Sequence, residues 1–181
     1  MTIKVLAISG SLRKASFNTL ALRAAAELAP EGVEVTLYDG LRDIPLYDDD
    51  LRAGSGYPAP VAAFRAAIKA ADALLIASPE YNFSVSGVLK NAIDWASRAP
   101  DQPFNGKKAA VLTASNGALG GAFANHHLRQ VLVYLNVFVL PGPEVMVGLS
   151  PTKFQDGRLA DEPTREVVRR HMAALTAFAK G

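Results

Sequence analysis

Short runs rich in branched apolar residues alternate along this chain with longer stretches of helical period, and that alternation restricts the fold more than any single motif. IKVLAIS at 3–9, VEVTL at 33–37, ALLIAS at 73–78, AAVLTA at 109–114 and the run at 137–140 are strand-length and bounded by Gly, Pro, Ser or Asn. Mostly apolar runs of this length suit strands buried on both faces. Between them, Val61, Phe64, Ile68 and Ala71 recur at helical spacing, as do Leu89, Ala92, Ile93 and Ala96. Leu128, Val131, Leu132 and Leu135 form a third stripe, and Val168, Met172, Leu175 and Ala179 a closing one. The alanine-rich stretch 18–29 adds a helix after the first strand, stopped by Pro30 to Gly32. Five βα units predict an α/β fold, an open five-stranded parallel sheet with helices on both faces, since an eightfold barrel needs more. With no repeat and no linker, residues 1–181 read as a single domain.

The chain has no cysteine, which excludes disulfides, thiol redox catalysis, cysteine zinc sites and iron–sulfur ligation. Any redox chemistry must therefore belong to a bound organic cofactor. A net charge of +2, with no basic run interleaved with aromatics, argues against nucleic acid. No stretch approaches the roughly 18 apolar residues of a membrane span, and the start resembles no secretory signal, so no membrane and a cytoplasmic location are expected. Adjacent His126 and His127 point about 100° apart on a helix and do not chelate together. Asp48 to Asp50, in the long connection 38–59, reads as a solvated acidic loop without EF-hand spacing. No metal is expected.

In a doubly wound sheet, ligands bind beyond the carboxyl ends of the strands. The loops after Ser9, Ser78 and Ala114 therefore matter most. The first, GSLRKASFN at 10–18, offers Ser11, Ser16, Asn18 and Arg13 beside free backbone N–H groups at a helix start. It is neither a P-loop nor a dinucleotide GxGxxG turn. Capping alone accounts for one Ser or Asn, not for four donors, and a terminal phosphate suits them. The second, PEYNFSVSG at 79–87, places Pro79, Tyr81 and Phe83 where they line a flat ring, with Glu80 and Asn82 meeting its edge largely through backbone groups. Packing between sheet and helix is the alternative for those aromatics. The third, SNGALGG at 115–121, lets backbone approach a ring edge at Gly117, and Ser115 adds a hydroxyl; by itself it reads equally as a tight turn. A phosphate cradle and a ring platform on adjacent strand ends favour a mononucleotide.

GSLR-x-x-S-x-N combined with PEYN…LKNAIDW and SNGALGG resembles the NADPH-dependent FMN reductase family, which includes quinone and chromate reductases, over roughly the first 150 positions. The resemblance implies a flavodoxin-like fold and noncovalent FMN. It gives the phosphate to Ser11, Arg13, Ser16 and Asn18 with the Phe17 backbone, and the isoalloxazine to Pro79, Glu80, Tyr81 and Asn82, with Ser115 and Gly117 nearby. It further implies NADPH or NADH as reductant, with a quinone-like acceptor. Chromate, nitro or azo compounds and free flavin are possible further acceptors. A homodimer or homotetramer is implied, with 88–98 near a subunit contact and Ile44 to Tyr47 bordering a partner's flavin. Arg129 and Glu144 resemble residues used across a tetramer contact. Phe123 stands where many relatives carry Arg. Trp95 reads as a core or interface aromatic. No catalytic side chain is expected, because hydride chemistry belongs to the flavin. The competing function is a flavodoxin-type electron carrier that does not oxidise NAD(P)H. Such carriers usually dock through an acidic face, whereas this chain has a pI near 8.9.

Overall fold

The computed structural model describes residues 2–181. In chain order the elements begin with β1 (Ile3–Ser9), α1 (Phe17–Glu27), β2 (Val33–Tyr38), α2 (Asp49–Ser55), α3 (Ala59–Ala70), β3 (Ala73–Ala77), β4 (Glu80–Tyr81), β5 (Ser84–Val85) and α4 (Gly87–Ala96). They continue with β6 (Lys108–Ala114), α5 (Ala122–Tyr134), β7 (Phe138–Val139), β8 (Val145–Val147), α6 (Ser150–Lys153), β9 (Phe154–Gln155), β10 (Arg158–Leu159) and α7 (Glu162–Lys180). The main sheet runs β2-β1-β3-β6-β7, all parallel, the expected doubly wound α/β architecture in flavodoxin-like order.

Strand parity divides the core into two layers. Leu6, Ile8, Leu74, Ile76 and Val111 pack with Phe64, Ile68, Leu89, Ile93 and Leu132, under α3, α4 and α5. Val5, Ala7, Leu75, Ala77 and Leu112 point the other way, onto Leu22, Ala25, Val168 and Met172 of α1 and α7. Apolar side chains at both parities are what a doubly covered sheet needs. Because β1 has β2 on one side and β3 on the other, the crossovers part at its carboxyl end and leave a crevice there. No helix among the described residues is long and apolar enough to cross a membrane.

Three stretches depart from the expected pattern. The fifth strand, expected at 137–140, is split: Phe138–Val139 pairs with Lys108 and Ala109, then Val145–Val147 pairs with Leu112 to Ala114. Pro141 and Pro143 stand in the gap, and a residue without an N–H cannot continue a ladder. The connection 38–59 is not an irregular acidic loop. It holds a 3-10 turn at Gly40–Asp43 and α2, whose first N–H groups at Asp50 and Leu51 donate to the capping carboxylate of Asp48. Thus two of the three aspartates open a helix, where their charge is favourable. The third departure is the β4–β5 hairpin within loop 79–87, turned by Asn82 and Phe83 at φ 52° and 63°. Consecutive left-handed residues are the signature of a type I′ turn. Trp95 is wholly buried, donating from Nε1 to the Pro45 carbonyl at 2.9 Å, which makes it core.

Candidate functional site

The loop after β1 is bound to its surroundings at both ends. Gly10 N–H donates to Ala77 O at 2.7 Å, carrying the ladder one residue past β1. Its carbonyl accepts from Ser86 Oγ at 2.7 Å, and a Cβ at position 10 would lie 2.8 Å from that hydroxyl, so the close approach requires glycine. At the other end Ser16, 2% exposed, caps α1 by accepting from Thr19 N–H. The N–H groups of Phe17 and Asn18 precede the first helical hydrogen bonds, and among the described residues nothing accepts from them. These are anion donors, at the positive end of the helix dipole. The Arg13 side chain, exposed beside them, also has no hydrogen-bonding or ionic partner among the described residues.

Ser11, Arg13, Ser16, Phe17, Asn18, Pro79, Glu80, Tyr81 and Ser115 line one cleft of about 160 Å³, together with Ala114 and Asn116. The predicted loops from β1, β3 and β6 therefore converge. Asn82 and Gly117 do not line it. Asn82 occupies the hairpin turn, while the Gly117 carbonyl accepts from Gly120 and Leu149 N–H groups at 3.2 and 3.1 Å. Asn116 and Ala114 were not singled out from sequence, although both belong to the strand end and loop that were.

The side chains of two expected site residues, Asn18 and Glu80, are committed to the scaffold. Asn18, 3% exposed, donates from Nδ2 to Ala114 O and accepts at Oδ1 from Ala114 N–H, both at 2.9 Å. Its amide behaves as a short extra strand beside the end of β6. One Nδ2 hydrogen and the backbone N–H remain for an anion. Glu80 accepts at Oε2 from Ala124 N–H, 3.0 Å away, at the first turn of α5. The α5 cap residue, Gly121, has no side chain to do this, so Glu80 supplies the cap from another loop. That leaves its backbone for ring-edge contact. Arg42 had no signal in the sequence; it donates from Nη2 to Leu12 O at 2.8 Å and holds the first loop from the side.

Arg129 lies at an internal contact, donating to Asn125 Oδ1 and Leu140 O, both at 2.8 Å, with Glu144 3.5 Å away. His126 and His127 are exposed, and no group of three potential metal ligands occurs among the described residues.

The sheet order, with unpartnered N–H donors in a cleft beside Pro79 and Tyr81, defines a flavodoxin-like α/β protein. The NADPH-dependent FMN reductase model matches residues 3–152, and the chain belongs to that family. It is 52% identical to an NAD(P)H-dependent FMN reductase of Pseudomonas aeruginosa, over 98% of this chain and 96% of that protein. It is 43% identical to a quinone reductase of Escherichia coli, over 97% and 95% respectively. Among solved structures, a flavoenzyme NAD(P)H:(acceptor) oxidoreductase from Paracoccus denitrificans superposes with a TM-score of 0.89 at 32% identity, covering 99% of this chain and 98% of that one.

Proposed function

We propose that the chain is an NAD(P)H:acceptor oxidoreductase that holds FMN in this cleft and passes electrons to a quinone-like acceptor. The observation that carries the reading is the convergence, at the ends of β1, β3 and β6, of unpartnered Phe17 and Asn18 N–H groups, free Arg13 and the Pro79–Tyr81 platform. Arg13, Ser11, Ser16 and the helix start hold the phosphate. Pro79, Glu80 and Tyr81 support one face and edge of the ring, with Ser115 at the opposite strand end. FMN held there would supply the redox chemistry between NAD(P)H and the acceptor. The residues of the chain bind, orient and desolvate, and none is needed as nucleophile or base.

A cleft of about 160 Å³ is smaller than the roughly 300–1,000 Å³ of typical small-molecule sites, so it covers only part of the mononucleotide's surface. The open side fits an assembly in which a second copy, as homodimer or homotetramer, completes the wall. Leu46 at 84% exposure and Tyr134 at 88% supply uncovered apolar surface for such contacts. The same reading makes the cytoplasm, with its reduced nicotinamide pool, the place of action. Anaerobic mixing of purified protein with NADPH tests the proposal: rapid bleaching of the flavin spectrum and its recovery on adding a quinone are expected. A protein that neither retains nor takes up FMN refutes it.

A further inference from the structure

A segment downstream of the cleft holds its third loop in place. Beyond the last pair of β6 and β8, Ala114 with Val147, the two chains go on meeting backbone to backbone. Ser115 N–H donates to Val147 O at 3.0 Å, Leu149 N–H to Gly117 O at 3.1 Å and Ser150 N–H to Ser115 O at 3.0 Å. Glycines stand where the two backbones touch. A Cβ at position 148 would collide with the Ala118 carbonyl oxygen, and one at position 120 would lie 2.6 Å from the Met146 carbonyl carbon. Leu149 takes φ 50° to turn the segment into α6, and wholly buried Ser150 donates from Oγ to Val147 O at 2.9 Å. Ser115 is thereby fixed through both its N–H and its carbonyl. The next N–H, that of Asn116, has no acceptor among the described residues, although Asn116 lines the cleft. A few residues further on, the same segment reaches the other end of the site. The Phe154 ring packs on that of Phe17, centroids 5.2 Å apart, and Phe17 N–H is one of the free donors at the start of α1.

We propose that residues 147–154 are a positioning clasp for the flavin. They set the Asn116 N–H at the ring end and the Phe17 N–H at the phosphate end, which makes Gly148, Ser150 and Phe154 determinants of flavin affinity and reduction potential. The inference rests on the reading that FMN occupies the cleft. None of these three residues lines it, so each acts through another. Donors fixed before binding cost no ordering when the ligand arrives. A fixed N–H beside the ring also favours the form of a flavin that carries more negative charge, the reduced one. A loop released from the clasp loses both effects. The cradle of Ser11, Arg13 and Ser16 keeps its own supports, the Gly10 bond to Ser86 and the Ser16 cap on Thr19 N–H.

The test titrates flavin-free protein with FMN and with riboflavin, which lacks the phosphate, and reads the fluorescence of unbound flavin. Gly148→Ala should weaken both by the same factor, on the order of tenfold, because the ring end is disturbed and the phosphate cradle is not. Phe154→Leu should weaken FMN by about threefold or more and leave riboflavin unchanged. Should Gly148→Ala fail to fold, Ser150→Ala, which deletes only the Oγ bond to Val147, should weaken both flavins equally by a smaller factor. In a redox titration of FMN-loaded Gly148→Ala, a further tenfold loss for the reduced flavin lowers the midpoint potential by about 30 mV. Unchanged affinities in folded variants overturn the proposal, as do losses that vanish once the unfolded fraction from thermal melts is counted. Hydrogen exchange of the flavin-free chain reads the clasp separately: Gly148→Ala should deprotect the Leu149 and Ser150 amides, and unchanged protection overturns it. A wild type that takes up no flavin refutes the FMN reading and the flavin role of the clasp with it, whereas normal wild-type uptake with unaffected variants refutes the clasp alone. The two failures are thus distinguishable.

Discussion

Asn18→Ala separates the scaffold role of this residue from a direct role toward the flavin phosphate. The wild-type side chain is 3% exposed and makes two hydrogen bonds at 2.9 Å to the backbone of Ala114, 96 residues away. Truncation leaves the Ala114 N–H and C=O without these partners at the end of β6. A hydrogen bond contributes about 0.5–1.5 kcal/mol net, and an orphaned buried group costs about 1–3 kcal/mol. Water entering from the cleft hydrates part of the gap, so about 2–4 kcal/mol is expected for the pair. For a chain of this size that corresponds to a fall in Tm of roughly 4–16 °C. The assay is thermal unfolding of the flavin-free protein, followed by circular dichroism, beside FMN titration of the same preparation. The reasoning requires the loss to appear without FMN. An unchanged apo-protein Tm with weakened FMN binding would make Asn18 a phosphate ligand and refute the scaffold assignment.

Arg13→Ala should behave oppositely, since the exposed guanidinium supports nothing in the fold: FMN affinity falls by about 10–150-fold, the equivalent of a charge-assisted contact of roughly 1.5–3 kcal/mol, while the apo-protein Tm holds. Equilibrium dialysis with FMN reads it. Glu80→Ala removes the cap on α5 and should cost about 0.5–2 kcal/mol in chemical denaturation, with Glu80→Gln recovering most of that because its amide oxygen still accepts from Ala124 N–H. His171 provides a pH signature. Burial holds its imidazole below the ordinary value; nearby Arg129 acts in the same direction, and the hydrogen bond from Nδ1–H to Pro143 O opposes them. Nε2 is buried without a partner. The folded protein therefore keeps a neutral ring where the unfolded chain binds a proton. Stability is fully present above about pH 6.5 and declines as pH falls toward the depressed folded value, by at most about 1.4 kcal/mol per pH unit from this group. Unfolding curves from pH 7.5 downward should show that slope, and His171→Gln should flatten it.

Much of the site was legible before any coordinates. Once the βα alternation placed three loops at the carboxyl ends of three strands, Ser11, Arg13, Ser16, Phe17, Asn18, Pro79 to Tyr81 and Ser115 followed, and they do line one cleft. What could not be read was the use of each side chain. Glu80 in PEYN has nothing around it that announces a helix start over forty residues later, and Arg42 has nothing that points to the Leu12 carbonyl. The split of the fifth strand was not read from the sequence: Pro141 and Pro143 account for the break, but the resumption of pairing at Val145 depends on where β6 extends.

The division has a physical cause. Strand parity, helical stripes, caps and proline breaks arise from residues within a turn or two of one another, so the order of letters alone determined the layered α/β sheet, the three loops at the strand ends and, through the missing cysteines, the exclusion of thiol chemistry. A side-chain amide or carboxylate carries no mark of its distant partner, because any exposed backbone N–H suits it equally. Only the tertiary fold, by laying β1 between β2 and β3 and bringing β6 beside α1, decided that Asn18 would hold Ala114 and that Glu80 would cap α5. The same packing left Arg13 and the first N–H groups of α1 as the free donors.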